Sequence, residues 1–90
     1  MSERSLQVTY RKGRPLAAYL HLAHGTGKRS ARTEPSADGL LVVDFDRTGR
    51  PLGVEITAPG AVTLARLNAL LESLGQPPLS KEDFKPVRAA

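Results

Sequence analysis

The pattern of apolar and polar positions marks out the elements of this chain, and it is sharpest between Asp38 and Thr57. There the sequence reads D-G-L-L-V-V-D-F-D-R-T-G-R-P-L-G-V-E-I-T, two apolar runs flanking Asp46-Arg47-Thr48-Gly49. An Asp leading the turn and a Gly where φ must be positive predict a hairpin, closed by a type I turn with a glycine bulge. Pairing Asp46 with Arg50 across that turn sets Asp44 opposite Leu52, Val42 opposite Val54 and Leu40 opposite Ile56. Side chains alternate along a strand, so Leu40, Val42, Leu52, Val54 and Ile56 share one face. The other face carries Leu41, Val43 and Phe45 from the first strand, and Gly53, Glu55 and Thr57 from the second. A leading strand that is apolar on both sides reads in two ways. It is a central strand buried on both faces, or its outer face meets another subunit. The candidate association surface is therefore Leu41, Val43, Phe45 and Gly53, with Gly53 leaving a shallow place opposite Val43 where another chain would approach.

Before this hairpin, Leu6 to Tyr10 alternates apolar and polar and predicts a half-buried strand with Leu6, Val8 and Tyr10 inward. Arg11-Lys12-Gly13-Arg14-Pro15 interrupts it. Leu16 to Ala23 predicts a second strand, with Ala18, Leu20 and Leu22 on one side and Tyr19 and His21 on the other. His24 to Arg32 is a polar, basic, Gly-containing loop, and Ala31 to Pro35 adds a short third strand limited by its proline.

Beyond Ala58-Pro59-Gly60 the period changes. Leu64, Leu67, Leu71 and Leu74 recur at three- and four-residue steps, with Val62 and Leu70 widening the stripe, and predict a helix over about 62–74. Thr63 is placed as its N-cap and Gly75 as its left-handed terminus, while Arg66, Asn68, Glu72 and Ser73 fall on the wet side. Ser80 with Asp83, and Leu79 with Phe84, predict a capped and stapled helical turn over about 80–85, ended by Pro86, after which Val87 to Ala90 fray. Strands followed by helix give an α+β fold: an antiparallel β-meander of four to five strands over about 5–57, with a C-terminal leucine-rich helix packed on one face. Residues 1–90 form a single domain, having material for one core.

Composition narrows the classes. The chain has no cysteine, so disulfides and thiolate chemistry are excluded. The opening M-S-E-R lacks the apolar run of a signal peptide, and no apolar stretch reaches membrane-spanning length, so a cytoplasmic protein with no membrane partner is expected. Charge is uneven: residues 1–36 carry a net +5 and residues 37–90 a net −1. Arg11, Lys12, Arg14, Lys28, Arg29 and Arg32 are the candidate anion or nucleic-acid contacts. Against nucleic acid, these loops lack interleaved aromatics and no recognition helix is visible.

The hairpin residues resemble the signature of a bacterial family of small proteins of unknown function. Its pattern reads roughly as a strand ending in Tyr, a Tyr-containing strand, then D-G-x-x-x-D-x-D-x-x-G-x-x-x-G-I-E-I. Tyr10, Tyr19, Asp38, Gly39, Asp44, Asp46, Gly49, Gly53, Glu55 and Ile56 match it in type, with one residue more between Gly39 and Asp44 than the pattern has and Val54 in place of its first Ile. The chain departs from the pattern where acids usually follow the first Tyr and precede the second, since Arg11 and Arg14 stand there. The resemblance implies a compact α+β domain, no assigned activity, and a partner-binding or antitoxin-like role.

Other motifs fail on their chemistry. Gly25-Thr26-Gly27-Lys28-Arg29-Ser30 has Arg29 where a phosphate loop needs Ser or Thr, and Leu22 where it needs Gly. Asp44, Asp46 and Glu55 suggest a carboxylate or metal site, yet the predicted register turns Glu55 away from the other two. His21 and His24 fall on opposite strand faces. No catalytic, metal-ligating or cofactor-binding residue is assigned. The expected role is protein association, as a homodimer or with a small protein partner. Nucleic-acid binding through the basic half, and an enzyme or metal protein using Asp44, Asp46, Glu55 and a histidine, are the competing classes.

Overall fold

The structure is a computed structural model that describes residues 4–23 and 29–88. Five strands form one antiparallel sheet: β1 (Ser5–Arg11), β2 (Arg14–His21), β3 (Arg32–Pro35), β4 (Leu41–Phe45) and β5 (Pro51–Ile56). A single 3₁₀ turn (Pro59–Ala61) leads to helices α1 (Leu64–Ser73) and α2 (Lys81–Arg88). The α+β class read from the sequence is therefore present. Strand order is β1-β2-β5-β4-β3, so β3, β4 and β5 make a meander and the β1–β2 hairpin docks on its β5 edge.

Both hairpin turns follow from local chemistry. At the β1–β2 turn Lys12 and Gly13 take positive φ, 53° and 78°, the twist that matches antiparallel strands. Strand β2 consequently begins at Arg14, inside the segment read as an interruption. At the β4–β5 turn one carboxylate oxygen of Asp46 accepts from the Thr48 amide (2.8 Å), the Thr48 hydroxyl (2.7 Å) and the Arg50 amide (3.0 Å). The Asp46 amide donates to Arg50 O, and Gly49 takes φ +88°. This is the turn expected from the residues.

The register beyond the turn is not. Phe45 pairs with Pro51 as the turn dictates, but Asp44 pairs with Gly53, Val43 with Val54, Val42 with Glu55 and Leu41 with Ile56. Leu52 is thus an extra residue, a β-bulge that advances β5 by one position. A one-residue slip exchanges the faces of the partner strand. Leu41, Val43 and Phe45 accordingly turn inward beside Val54 and Ile56, at 0%, 5% and 8% exposure. They belong to the core and cannot form the association surface expected of them. Val42 and Asp44 face out, half-buried. The leading strand alternates after all, with Val42 as its one apolar residue on the outer side.

Helix α1 lays Leu67 and Leu71 on the sheet, and Thr63 Oγ1 caps it by accepting from the Arg66 amide at 3.1 Å. Its end is a Schellman motif: the Gln76 amide donates to Leu71 O, the Gly75 amide to Glu72 O, and Gly75 sits at φ +72°. Ser80 caps α2 through the Asp83 amide at 3.1 Å. Leu79 and Phe84, the expected staple, are both buried. Two expectations fail here. Pro86 lies inside α2 rather than ending it, and Val87 packs into the core instead of fraying. Asn68, placed on the wet side by periodicity, is half-buried and clamps the chain after α1. Its Nδ2 donates to Leu79 O (3.0 Å), and the Leu79 amide donates to its Oδ1 (2.8 Å).

The core lies between the sheet and the helices, built from Ala18, Leu20 and Leu22 of the second strand and its continuation, the inward residues of β4 and β5, and Leu67, Leu71, Phe84 and Val87. Both helices bury their apolar residues on this one side. Among the described residues, no helix covers the other side of the sheet.

Candidate functional site

The uncovered face is set by register. One row across the sheet runs Ser5, His21, Gly53, Asp44, Thr33, and the next runs Gln7, Tyr19, Glu55, Val42, Pro35. Paired residues point to the same side of a sheet, so these rows form a mostly polar surface with two aromatic rings near its centre.

Those side chains are tied together. Tyr19 leans diagonally across β5 and its hydroxyl donates to Asp44 Oδ2 at 2.6 Å. It can do so because Gly53 lies beneath the ring: a Cβ there would collide with the phenol oxygen, Cε1 and Cζ of Tyr19. The shallow place predicted at Gly53 exists, and Tyr19 fills it. His21 packs beside Tyr19 with ring centroids 4.6 Å apart, and its Nε2 lies 3.0 Å from Gln7 Oε1. Ser30 Oγ approaches the second oxygen of Asp44 at 3.5 Å. Burial, the hydrogen bond to Asp44, and the nearby charges of Asp44 and Glu55 all push the Tyr19 phenol above the usual tyrosine range. The phenol therefore stays protonated and acts as a fixed donor. General acid–base work near neutrality needs a group whose pKa lies near the working pH, and Tyr19 is moved away from it.

The signature positions separate by role in this geometry. Asp46 and Gly49 build the β4–β5 turn. Asp38 and Gly39 build the β3–β4 turn, where Asp38 Oδ1 accepts from Ser36 Oγ (2.6 Å) and the Leu40 amide (3.0 Å) and Gly39 takes φ +73°. These bonds hold both the Asp38 and the Asp46 carboxyl below the usual carboxylate range, chiefly through the Ser36 and Thr48 hydroxyls respectively. Tyr10 donates to Pro86 O at 2.9 Å and ties β1 to α2. Gly53 and Asp44 seat Tyr19. Glu55 is different. The expected register turned it away from Asp44, but it shares the outer face, exposed beside Tyr19. Among the described residues its carboxylate takes part in no hydrogen bond or ion pair.

The basic residues do not converge. Arg11, Lys12 and Arg14 sit at the β1–β2 turn, while Arg32 lies at the opposite end of the sheet, paired with Phe45. Strand β2 alone separates the two ends by roughly 20 Å at ~3.3 Å per residue. Arg32 is already engaged, with its Nε 2.8 Å from Glu34 and its guanidinium 4.4 Å from the centre of the Phe45 ring. Arg29 is exposed just before β3; Lys28, His24 and most of the glycine-rich loop lie outside the described residues. No group of His, Asp and Glu among the described residues is arranged to hold a metal ion, and no helix among them is long and apolar enough to cross a membrane.

Comparison of the chain with protein-family models, curated proteins and solved structures gives no match. The likeness to the hairpin family therefore rests on the quoted residues themselves, most of which the fold explains as turn builders and as the seat of Tyr19.

Proposed function

We propose that this is a small cytosolic association module that binds a protein partner, or a second copy of itself, through its open sheet rather than by catalysing a reaction. The observation that supports the reading is Glu55. It lies near the middle of the uncovered face, beside the Tyr19–Asp44 pair, and among the described residues no hydrogen bond or ion pair engages its carboxylate. The flanking rings are already fixed by Asp44, Gln7 and Gly53, so a partner meeting this face would find little side-chain freedom left to lose. The patch is an acid among Tyr, His, Gln and Val, suited to a partner presenting a cation beside an apolar group. An antitoxin-like role is one form of this reading and rests on the family resemblance alone. Nucleic-acid binding is disfavoured by the separation of the basic residues and by the acids on the open face.

The test is affinity capture from the native host with wild-type and Glu55→Lys baits of equal stability. A protein held by the first and lost by the second supports the reading. Identical captures with the two baits would remove this face as the contact.

A further inference from the structure

The two edges of the sheet are unlike. Strand β3 is four residues long, ends at Pro35, and turns the Arg32–Glu34 ion pair toward the helix side. Shortness, proline and inward charge are devices that keep an edge from pairing. Strand β1 has none of them. It runs seven residues without proline, and the irregularity at Thr9/Tyr10 places the extra residue, Leu16, on β2. Among the described residues the backbone of Ser5 to Arg11 bonds only to β2, so its outer row of amides and carbonyls is unused.

We infer that β1 pairs antiparallel with β1 of a second copy of this chain, about a twofold axis at Val8. The inference rests on the association reading above and specifies the occupant of one edge. Val8 is the midpoint of the strand, so this register pairs all seven residues. It places Leu6 against Tyr10 on the helix side and Gln7 against Thr9 on the open side, like with like. Tyr10, 49% exposed in the single chain, is covered in this arrangement. The product is a continuous ten-stranded sheet with all helices on one side.

Charge supports the same geometry independently. Helix α2 runs beside β1: Glu82 and Asp83 line a cleft with Arg4, Ser5 and Leu6 at the strand's start, and Pro86 accepts from Tyr10 near its end. Arg11, Lys12 and Arg14 stand at the far tip. The two ion pairs among the described residues are Arg32–Glu34 and Arg66–Asp38, which leaves those three cations and two acids unpaired. An antiparallel twofold carries the basic tip of each copy toward Glu82 and Asp83 of the other, and does so twice; Arg4, in the same cleft, is turned onto the Pro77 and Pro78 carbonyls.

The experiment is sedimentation equilibrium of the full chain at low salt, with circular dichroism confirming that each variant folds. The wild type is expected to dimerise with a Kd of order tens of micromolar, the range of a small transient interface. Arg11→Glu with Arg14→Glu weakens the dimer by on the order of tenfold or more, and so does Glu82→Lys with Asp83→Lys. Combining all four restores the affinity to within a few-fold of wild type. A chain that stays monomeric at several times those concentrations overturns the inference, as does a dimer that ignores both reversals or is not rescued by their combination. A monomeric chain that still captures a host protein through Glu55 overturns the twofold pairing while leaving the association reading in place.

Discussion

Placing a methyl group on Gly53 tests the open face at its most crowded point. The Cβ of Gly53→Ala would occupy the space of the Tyr19 ring, so the ring must swing off β5 and surrender its hydrogen bond to Asp44. That bond, to a charged acceptor on a half-exposed site, contributes about 1–2 kcal/mol. Gly53 is not among the residues with positive φ. Alanine is therefore compatible with its backbone and stabilises by about 0.5–1 kcal/mol through the unfolded chain. The balance is a loss of about 1 kcal/mol, or a melting point lower by roughly 4–8 °C in a chain of this size. The sign should reverse when Tyr19 is removed. In a Tyr19→Ala background the collision with the phenol ring is gone, and Gly53→Ala should stabilise by about 0.5–1 kcal/mol. Urea denaturation of the four proteins of the cycle, followed by far-ultraviolet circular dichroism, gives a coupling of about 1–2 kcal/mol if the packing is as described. Equal effects of Gly53→Ala in both backgrounds would refute it.

Tyr19 also makes a pH prediction. Its folded pKa lies above its unfolded value, so the stability gained from the neutral phenol is complete below about pH 10 and is lost as pH rises through the folded value. Phenolate absorbance should show a component titrating above the ordinary tyrosine range, and Tyr19→Phe should abolish that component. Asp46 carries the opposite sign: its folded pKa is depressed by Thr48 and the Arg50 amide, so its contribution is full at neutral pH and disappears on acidification below the usual carboxylate range. Asp46→Asn should flatten that acid limb in a pH series of melts. Asn68→Ala removes both bonds to the Leu79 backbone and should cost about 2 kcal/mol in urea denaturation; a change under ~0.5 kcal/mol, the scatter of surface substitutions, would mean the clamp is incidental.

The parts of the fold legible in the sequence were those governed by local chemistry. Asp46 with Gly49, Thr63, Gly75 and Ser80 each do what their residue type does at a turn or cap, and the alternation of Ala18, Leu20 and Leu22 with Tyr19 and His21 gave β2 its faces. The register of the β4–β5 hairpin was not legible, because the decision lies in one bulged residue. Val42, Val43, Leu52 and Val54 are all apolar, so the pattern stays acceptable in either register; only the sheet and helices around them select the bulge at Leu52. That single residue moved Leu41, Val43 and Phe45 from a docking surface into the core and brought Asp44 and Glu55 to one face. Asn68 and Pro86 were misread for a related reason. Their neighbours are distant in sequence, at Leu79 and Tyr10, and no helical period reveals them. Part of a signal for Tyr19 did exist: a Gly in a strand marks close approach of something, although which chain approaches cannot be read from spacing.

The bulge is the central claim, and the absence of native cysteine makes it directly measurable. Single Val42→Cys and Val43→Cys variants, each treated with a thiol reagent under native conditions, report which side of β4 faces the helices. The structure predicts that the thiol at position 42 reacts promptly, while that at position 43 reacts only as fast as the protein unfolds. Protection at 42 with free reaction at 43 would restore the unbulged register and contradict the account.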